Sequence, residues 1–329
     1  DRSNMKLIIC GSYVDTMKEL LARQNPLYGR IDLTLNLKPM DYYESSMFYA
    51  GFSDEDKVRI YSVFGGIPYY NRLIDGKKSV RENIIDLIAS PGARLENEVS
   101  MYLNSEISKI TNVNEVFEAL SKGFSRYKDI LDQSNVSSGP ALVDILDKLI
   151  RMDVVAKEAP INDENNRKKS GYFISDNLSL FYYKYIFRNI SRMNIMDSEV
   201  FYEKYISEDF ETKYVPKVFE DVCRQYLIRK NRMGCMDEIF EKIGKYYYDD
   251  PVERKNGEID IVTLDDKGYI FYEAKFRKEP VTEQMIEKEI VQVKQTGLEC
   301  YKYGFFSKSG FACEERENRS LIELKELYR

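Results

Sequence analysis

Residues 257–276 hold the side chains best suited to chemistry: Gly257-Glu258-Ile259-Asp260-Ile261-Val262 and, after a short turn, Tyr272-Glu273-Ala274-Lys275. Carboxylates at strand spacing beside a lysine suit a Mg²⁺ site with an adjacent ammonium. A few hard oxygen ligands leave room on the ion for water and substrate, and the lysine can orient or deprotonate an attacking water or stabilise charge on a phosphate. Both segments are rich in Ile, Val, Tyr and Phe, and Asp265-Asp266-Lys267-Gly268 supplies turn residues, so an antiparallel hairpin of 257–264 and 269–276 is expected. With Leu264 opposite Tyr269, Asp260 falls opposite Glu273 and Glu258 opposite Lys275. The period of two then puts all four on one face, with Ile259, Ile261, Ile270, Tyr272 and Phe276 on the other. Facing carboxylates repel unless a cation offsets them. The competing reading is a solvated face with a weak Glu258–Lys275 ion pair.

The flanking elements must position these groups. After Pro216, residues 214–232 read as an amphipathic helix with Val218, Phe219, Val222, Tyr226 and Leu227 on its buried stripe, and it carries Glu220. Residues 282–296 read as another helix, with Ile286, Ile290 and Val293 at helical spacing and Gln292 and Gln295 on its surface. Tyr303-Gly304-Phe305-Phe306-Ser307 reads as a strand. Gly-x-x-Asp followed by Glu-x-Lys on the next strand resembles the core motif of the PD-(D/E)xK nuclease superfamily. The resemblance implies a restriction-endonuclease-like α/β sandwich. It further implies Mg²⁺ held by Asp260, Glu273 and the backbone carbonyl of Ala274, with Lys275 positioning the attacking water and Glu220 as the supporting acid from the preceding helix. Read without it, Glu220 is an ordinary acid favoured by the dipole at the start of a helix.

Composition narrows the chemistry. The 329 residues suggest two or three domains. No histidine is present, which removes His-based acid–base catalysis, His-dependent triads and His-ligated metals. Five scattered cysteines without a Cys-x-x-Cys pair argue against structural zinc and a disulfide framework. No apolar run is long enough to span a membrane and no signal peptide is recognisable, so a cytoplasmic protein is expected. A net charge of −6 speaks against a wholly basic nucleic-acid-binding surface, although Arg254, Lys255, Lys275, Arg277, Lys278, Lys288 and Lys294 form a local basic set around the candidate site.

Upstream, 113–122 and 127–133 read as short helices. Ser138-Gly139-Pro140 caps a third with Leu142, Ile145, Leu146, Leu149 and Ile150 on its apolar stripe. Strands at 154–156 and 171–176 flank a polar loop holding Arg167, Lys168 and Lys169. The order is that of a winged helix. Asp144, Asp147 and Asp153 make the third helix a poor groove reader, so this part is expected to pack or to bind a protein partner. Residues 180–187 are expected to form a core helix against the wing.

The N-terminal part reads as a strand at 6–10, a helix at 14–23 and a strand at 31–37. Ile8-Ile9-Cys10-Gly11-Ser12, Pro26-Leu27-Tyr28-Gly29-Arg30, Leu37-Lys38-Pro39-Met40 and Phe64-Gly65-Gly66-Ile67-Pro68-Tyr69-Tyr70 resemble the later part of an archaeal-type AAA+ ATPase. Many members continue into a winged helix and a nuclease-like C-terminal domain of unknown function, the DUF234 type. The resemblance implies a multidomain α/β and α chain: remnant AAA+ core at 1–45, helical lid-like segment at 46–92, winged helix at 93–195 and nuclease-like domain at 196–329. It matches Ser12 to a γ-phosphate sensor and Arg30 to an arginine near the nucleotide. No Gly-x-x-x-x-Gly-Lys-Ser/Thr occurs, and Gly76-Lys77-Lys78-Ser79 has the wrong spacing. ATP binding is therefore expected only in a complete protein, of which this chain would be the C-terminal fragment. The expected activity is Mg²⁺-dependent cleavage of nucleic acid, DNA before RNA, with a homo-oligomer compatible. The alternative is a catalytically inactive nuclease fold serving as a binding module of an ATP-driven switch.

Overall fold

The computed structural model describes residues 6–11, 17, 19–101, 112–166, 169–250 and 255–329, with the side chains of 250, 255 and 256 left aside. It is a mixed α/β, multidomain arrangement of helices followed by a five-stranded mixed sheet.

Helix α1 (Asp54–Phe64) starts where the Ser53 side chain accepts from the Asp56 amide, with three acids in its first turn complementing the helix dipole. It stops at Gly65, whose φ of +58° only glycine adopts readily. The next residue, Gly66, lies against the Met40 backbone: its carbonyl accepts from the Met40 amide at 2.9 Å, and an added Cβ would meet the Met40 carbonyl oxygen at 2.0 Å. The Gly-Gly-Ile-Pro and Lys-Pro-Met segments are thus in contact. Helix α2 (Val80–Leu87) opens with a capping box between Ser79 and Glu82.

Helices α3 (Val113–Ser121), α4 (Tyr127–Gln133) and α5 (Gly139–Arg151) follow, α5 capped by Ser138 and burying Leu142, Ile145, Leu146 and Leu149. Strands β1 (Val155–Glu158) and β2 (Gly171–Ile174) pair antiparallel. The aromatic run after them is helical, with Phe181, Tyr182, Tyr183 and Tyr185 buried.

Helix α6 (Val215–Arg232) leads into β3 (Lys242–Asp250), β4 (Lys255–Asp265) and β5 (Gly268–Lys275), then β6 (Val281–Thr282), α7 (Glu283–Gln295), β7 (Cys300–Ser307), β8 (Phe311–Ala312) and β9 (Arg319–Glu323). The sheet order is β3-β4-β5-β7-β9: the first three strands pair antiparallel and the last three parallel, while β6 and β8 form a separate two-stranded parallel pair. Ile261, Ile270, Tyr272 and Phe306 pack in one core with Val218, Phe219, Val222 and Leu227 of α6; Val262, Phe271 and Phe305 pack in a second with Ile286 and Val293 of α7. Helices on both faces are what a sheet with a parallel half requires. The first core continues into the helical part, joining α1 to the sheet region, and the Tyr42 hydroxyl donates to the Leu327 carbonyl at 2.7 Å.

The expected strands at 6–10 and 31–37 are corrected. Both segments are irregular and belong to no sheet among the described residues, and Leu33, Leu35 and Leu37 point to solvent. Alternating apolar residues make a strand only where a neighbour completes the ladder. Arg30 lies exposed beside them. Ser12 and residues 14–16 and 18 of the helix expected at 14–23 fall outside the described residues, as do Arg167, Lys168 and Arg254; of that helix Met17, Glu19 and Leu20 are helical, and 21–23 turn instead of continuing it.

Candidate functional site

The hairpin register is the expected one: Leu264 pairs with Tyr269, and the ladder runs to Ile261 opposite Tyr272. Past that pair the β4–β5 ladder ends, while β5 stays paired with β7 through Lys275 opposite Ser307. The strands part at the point where Asp260 and Glu273 stand.

The one-face arrangement of the four charged residues is corrected. On β3, Gly244 pairs with Val262 and Tyr246 with Ile259, so β4 advances three residues while β3 advances two. This bulge inserts an extra residue at Asp260-Ile261 and breaks the period of two. Ile259 accordingly joins the α7-side core while Ile261 joins the α6-side core. Asp260 meets α6, where the Lys217 ammonium donates to Glu220 at 2.5 Å and to Asp260 at 2.9 Å. Lys245 of β3 adds a second cation at 3.2 Å from Asp260. Glu258 pairs with Arg126 and Lys245 rather than forming the expected pair with Lys275. Lys275 instead donates to Glu273 at 2.6 Å and to Glu289 of α7 at 2.8 Å.

Lys217 thereby joins Glu220 and Asp260, and Lys275 joins Glu273 and Glu289; the two groups, each partly open to solvent, lie close enough for the Glu220, Asp260 and Glu273 carboxylates to act on one another. Burial, reinforced by Asp260 and Glu273 and opposed by Lys217, pushes the Glu220 carboxyl up to about 7. Burial also raises Glu273, partly offset by Lys275. For Asp260 burial acts upward, but Lys217 and Lys245 outweigh it and hold the carboxyl below the usual range. Burial acts downward on Lys275, yet Glu273 and Glu289 prevail and keep it a firmly charged ammonium. That makes Lys275 a donor of positive charge at neutral pH rather than a base.

The oxygen donors are of the type a small hard cation takes, and sulfur is no competitor because Cys223, the cysteine of α6, is buried in the apolar core. Ala274 lies between Glu273 and Lys275 on β5, its side chain against the α6-side core. Among the described residues, no three acidic or thiol side chains converge closely enough to hold an ion. The reason is visible in the pairings: Lys217 stands between Glu220 and Asp260, and Lys275 holds Glu273.

Sequence reading missed three participants. Lys217 lies one helical turn before Glu220, a spacing that pairs side chains. Glu289 follows Ile286 by three and borders the apolar stripe of α7. Lys245 precedes the Tyr246-Tyr247-Tyr248 run, which reads as strand once noticed. Gln292 and Gln295 are exposed on α7, and Arg277 is occupied by Glu279 at 3.0 Å.

The β1–β2 loop packs along β3. The Ile161 amide donates to the Lys245 carbonyl at 2.7 Å, Asn162 exchanges hydrogen bonds with the Tyr247 backbone at 2.8 and 3.1 Å, and Lys242 pairs with Glu164 at 2.7 Å. Phe173 of β2 lies under the Lys245 ammonium at 4.9 Å.

Residues 182–290 match the DUF234 family, described as archaea bacterial proteins of unknown function. The expectation of such a domain in the C-terminal region is met, and the matched span includes Lys217, Glu220, Lys245, Asp260, Glu273, Lys275 and Glu289. The uncharacterized protein MJECL04 of Methanocaldococcus jannaschii is 29% identical over 318 residues, covering 95% of this chain and 69% of its own length. The crystal structure of protein VC1899 from Vibrio cholerae aligns over 92% of this chain and 62% of its own, at 10% identity and a TM-score of 0.23. The chain therefore spans less than two thirds of that solved protein. Among the described residues, no helix is long and apolar enough to cross a membrane.

Proposed function

We propose that the C-terminal sheet region is a PD-(D/E)xK-like nuclease module that hydrolyses phosphodiester bonds of nucleic acid, DNA before RNA, with Mg²⁺. The observation that carries this reading is the meeting of Glu220, Asp260, Glu273 and Lys275 from three elements where β4 and β5 part. Asp260, Glu273 and the Ala274 carbonyl would hold the ion. Bound there, Mg²⁺ supplies Lewis-acid polarisation of a phosphoryl oxygen. Lys275, fixed by Glu273 and Glu289, presents its charge to the attacking water and to the developing negative charge on the phosphate. Glu220, its carboxyl pushed up to about 7, can hold or release a proton near neutrality at the edge of the site.

In the same proposal residues 93–195 hold a winged helix turned to packing: its hairpin loop is engaged by β3, and α5 sets Asp144 and Asp147 against Lys148 and Arg151, leaving no net positive charge for a groove. The AAA+ resemblance assigns ATP-driven switching to a protein with a phosphate loop, which this sequence lacks. One observation favours the alternative of a catalytically silent binding module: each carboxylate of the cluster already has a lysine partner. Calorimetric titration with Mg²⁺ and Mn²⁺ separates the two. Saturable binding by the native chain, lost in Asp260→Asn, supports the nuclease reading. Absence of binding at millimolar ion, with both proteins folded, favours the silent module.

A further inference from the structure

Lys217 is the least expected member of the cluster. Its side chain is 59% exposed, yet its ammonium makes two hydrogen bonds to carboxylates on different elements, Glu220 one turn away on α6 and Asp260 on the bulge of β4. A lysine three residues before a glutamate on an exposed helix face contributes only a few tenths of a kcal/mol through that pair. The contact with Asp260 is of another kind, because it spans two elements and exists only where the bulge has turned Asp260 toward α6. The ammonium thus stands between two oxygen donors of the cluster, where it offsets their mutual repulsion.

Lys245 is placed differently. It is 20% exposed, reaches Glu258 as well as Asp260, and is held by the Phe173 ring and by its own carbonyl's bond to Ile161. Among the described residues, Lys217 has no such anchor beyond its two carboxylates. A flexible four-carbon stem, 59% exposed as a side chain, can carry the ammonium out from between its two carboxylates by rotation about its own bonds, without moving α6 or the sheet.

We propose that Lys217 is a tethered counter-ion that neutralises Asp260, the ligand it shares with the ion site, and is displaced from it when a divalent cation binds. This rests on the metal-site reading above and deepens it. In the ion-free state Lys217 keeps Asp260 and Glu220 together; in the bound state it swings outward, toward the solvent through which a phosphate backbone would approach. It is a positioning residue that sets the ion concentration at which the site fills. The competition is electrostatic, so the charge matters and the length of the side chain does not.

The test is calorimetric titration of Mn²⁺ alone into the native full chain, Lys217→Met and Lys217→Arg, with circular dichroism confirming that each is folded. Removing one competing charge at this partly solvated site is expected to tighten Mn²⁺ binding by roughly tenfold in Lys217→Met. Lys217→Arg, which keeps the charge, should bind within about twofold of the native chain. Equal affinity in the native chain and Lys217→Met would overturn the counter-ion role and leave the metal site standing. Weaker binding in Lys217→Met would overturn it too, by making Lys217 a supporter of the site. No binding by any of the three would remove the metal site itself, and the competition with it.

Discussion

Glu220 concentrates the electrostatic character of the site in one side chain. Its carboxyl, lifted to about 7 by burial among Asp260 and Glu273, binds a proton more tightly in the folded chain than the unfolded value of 4.5 allows. The folded state therefore loses stability from this group as pH rises from about 4.5 to about 7, and the loss is complete above that window. Glu220→Gln removes the titration. Relative to the native protein it should gain on the order of 2 kcal/mol between pH 5 and pH 8, read by urea unfolding at the two pH values. Asp260 contributes with the opposite sign: its depressed pKa stabilises the fold above the unfolded carboxylate range and is lost as pH falls through the folded value. Asp260→Asn should accordingly cost stability at pH 7 and little at acid pH, in the same experiment.

Among the elements, β4 and the strands beside it decide what the site becomes. The hairpin register was legible because turn residues and alternating side chains fix it, as Leu264 opposite Tyr269 demonstrates. The bulge was not legible, since an extra residue at Asp260-Ile261 leaves the residue types unchanged and shows only in the pairing with β3. Helices α3 to α7 were legible from caps and apolar spacing, whereas β3 was hidden by its lysines and aspartates. The alternating leucines of 31–37 misled because alternation reports a strand's faces, not the presence of a partner. Close packing within the sheet offers a direct check. Gly304 of β7 lies opposite Tyr272, and an added Cβ would meet that buried ring at 2.2 Å. Gly304→Ala should cost about 1–3 kcal/mol in urea unfolding. Gly66→Ala, where the obstacle is the Met40 backbone itself, should cost at least as much.

Over the whole molecule, the helical part and the sheet share a core rather than meeting at a wet interface. Phe219 of α6 packs on Phe276 at 5.1 Å, Tyr226 on Phe306 at 5.8 Å and Tyr42 on Tyr328 at 5.5 Å. Thermal unfolding followed by far-ultraviolet circular dichroism and by tyrosine fluorescence should therefore give coincident single transitions; two separated transitions would show the parts to be independent. The docking of the β1–β2 loop on β3 is polar, and Arg126 ties α4 to Glu258 of β4. Arg126→Ala with Asn162→Ala should expose residues 163–166 to protease several-fold faster while leaving the sheet core intact, as limited proteolysis would read. This docking also covers an edge strand that would otherwise offer unpaired backbone groups.

The central claim is that the cluster at the parting of β4 and β5 cleaves phosphodiester bonds. Its most direct test is the cleavage of end-labelled single-stranded and duplex DNA in millimolar Mg²⁺ or Mn²⁺ by the native chain and Lys275→Met. The account predicts metal-dependent cleavage by the native protein, reduced about 10²–10³-fold in the variant, which lacks the ammonium facing the phosphate. Cleavage equal in the two proteins, or none by a native chain shown to bind the ion, would contradict it.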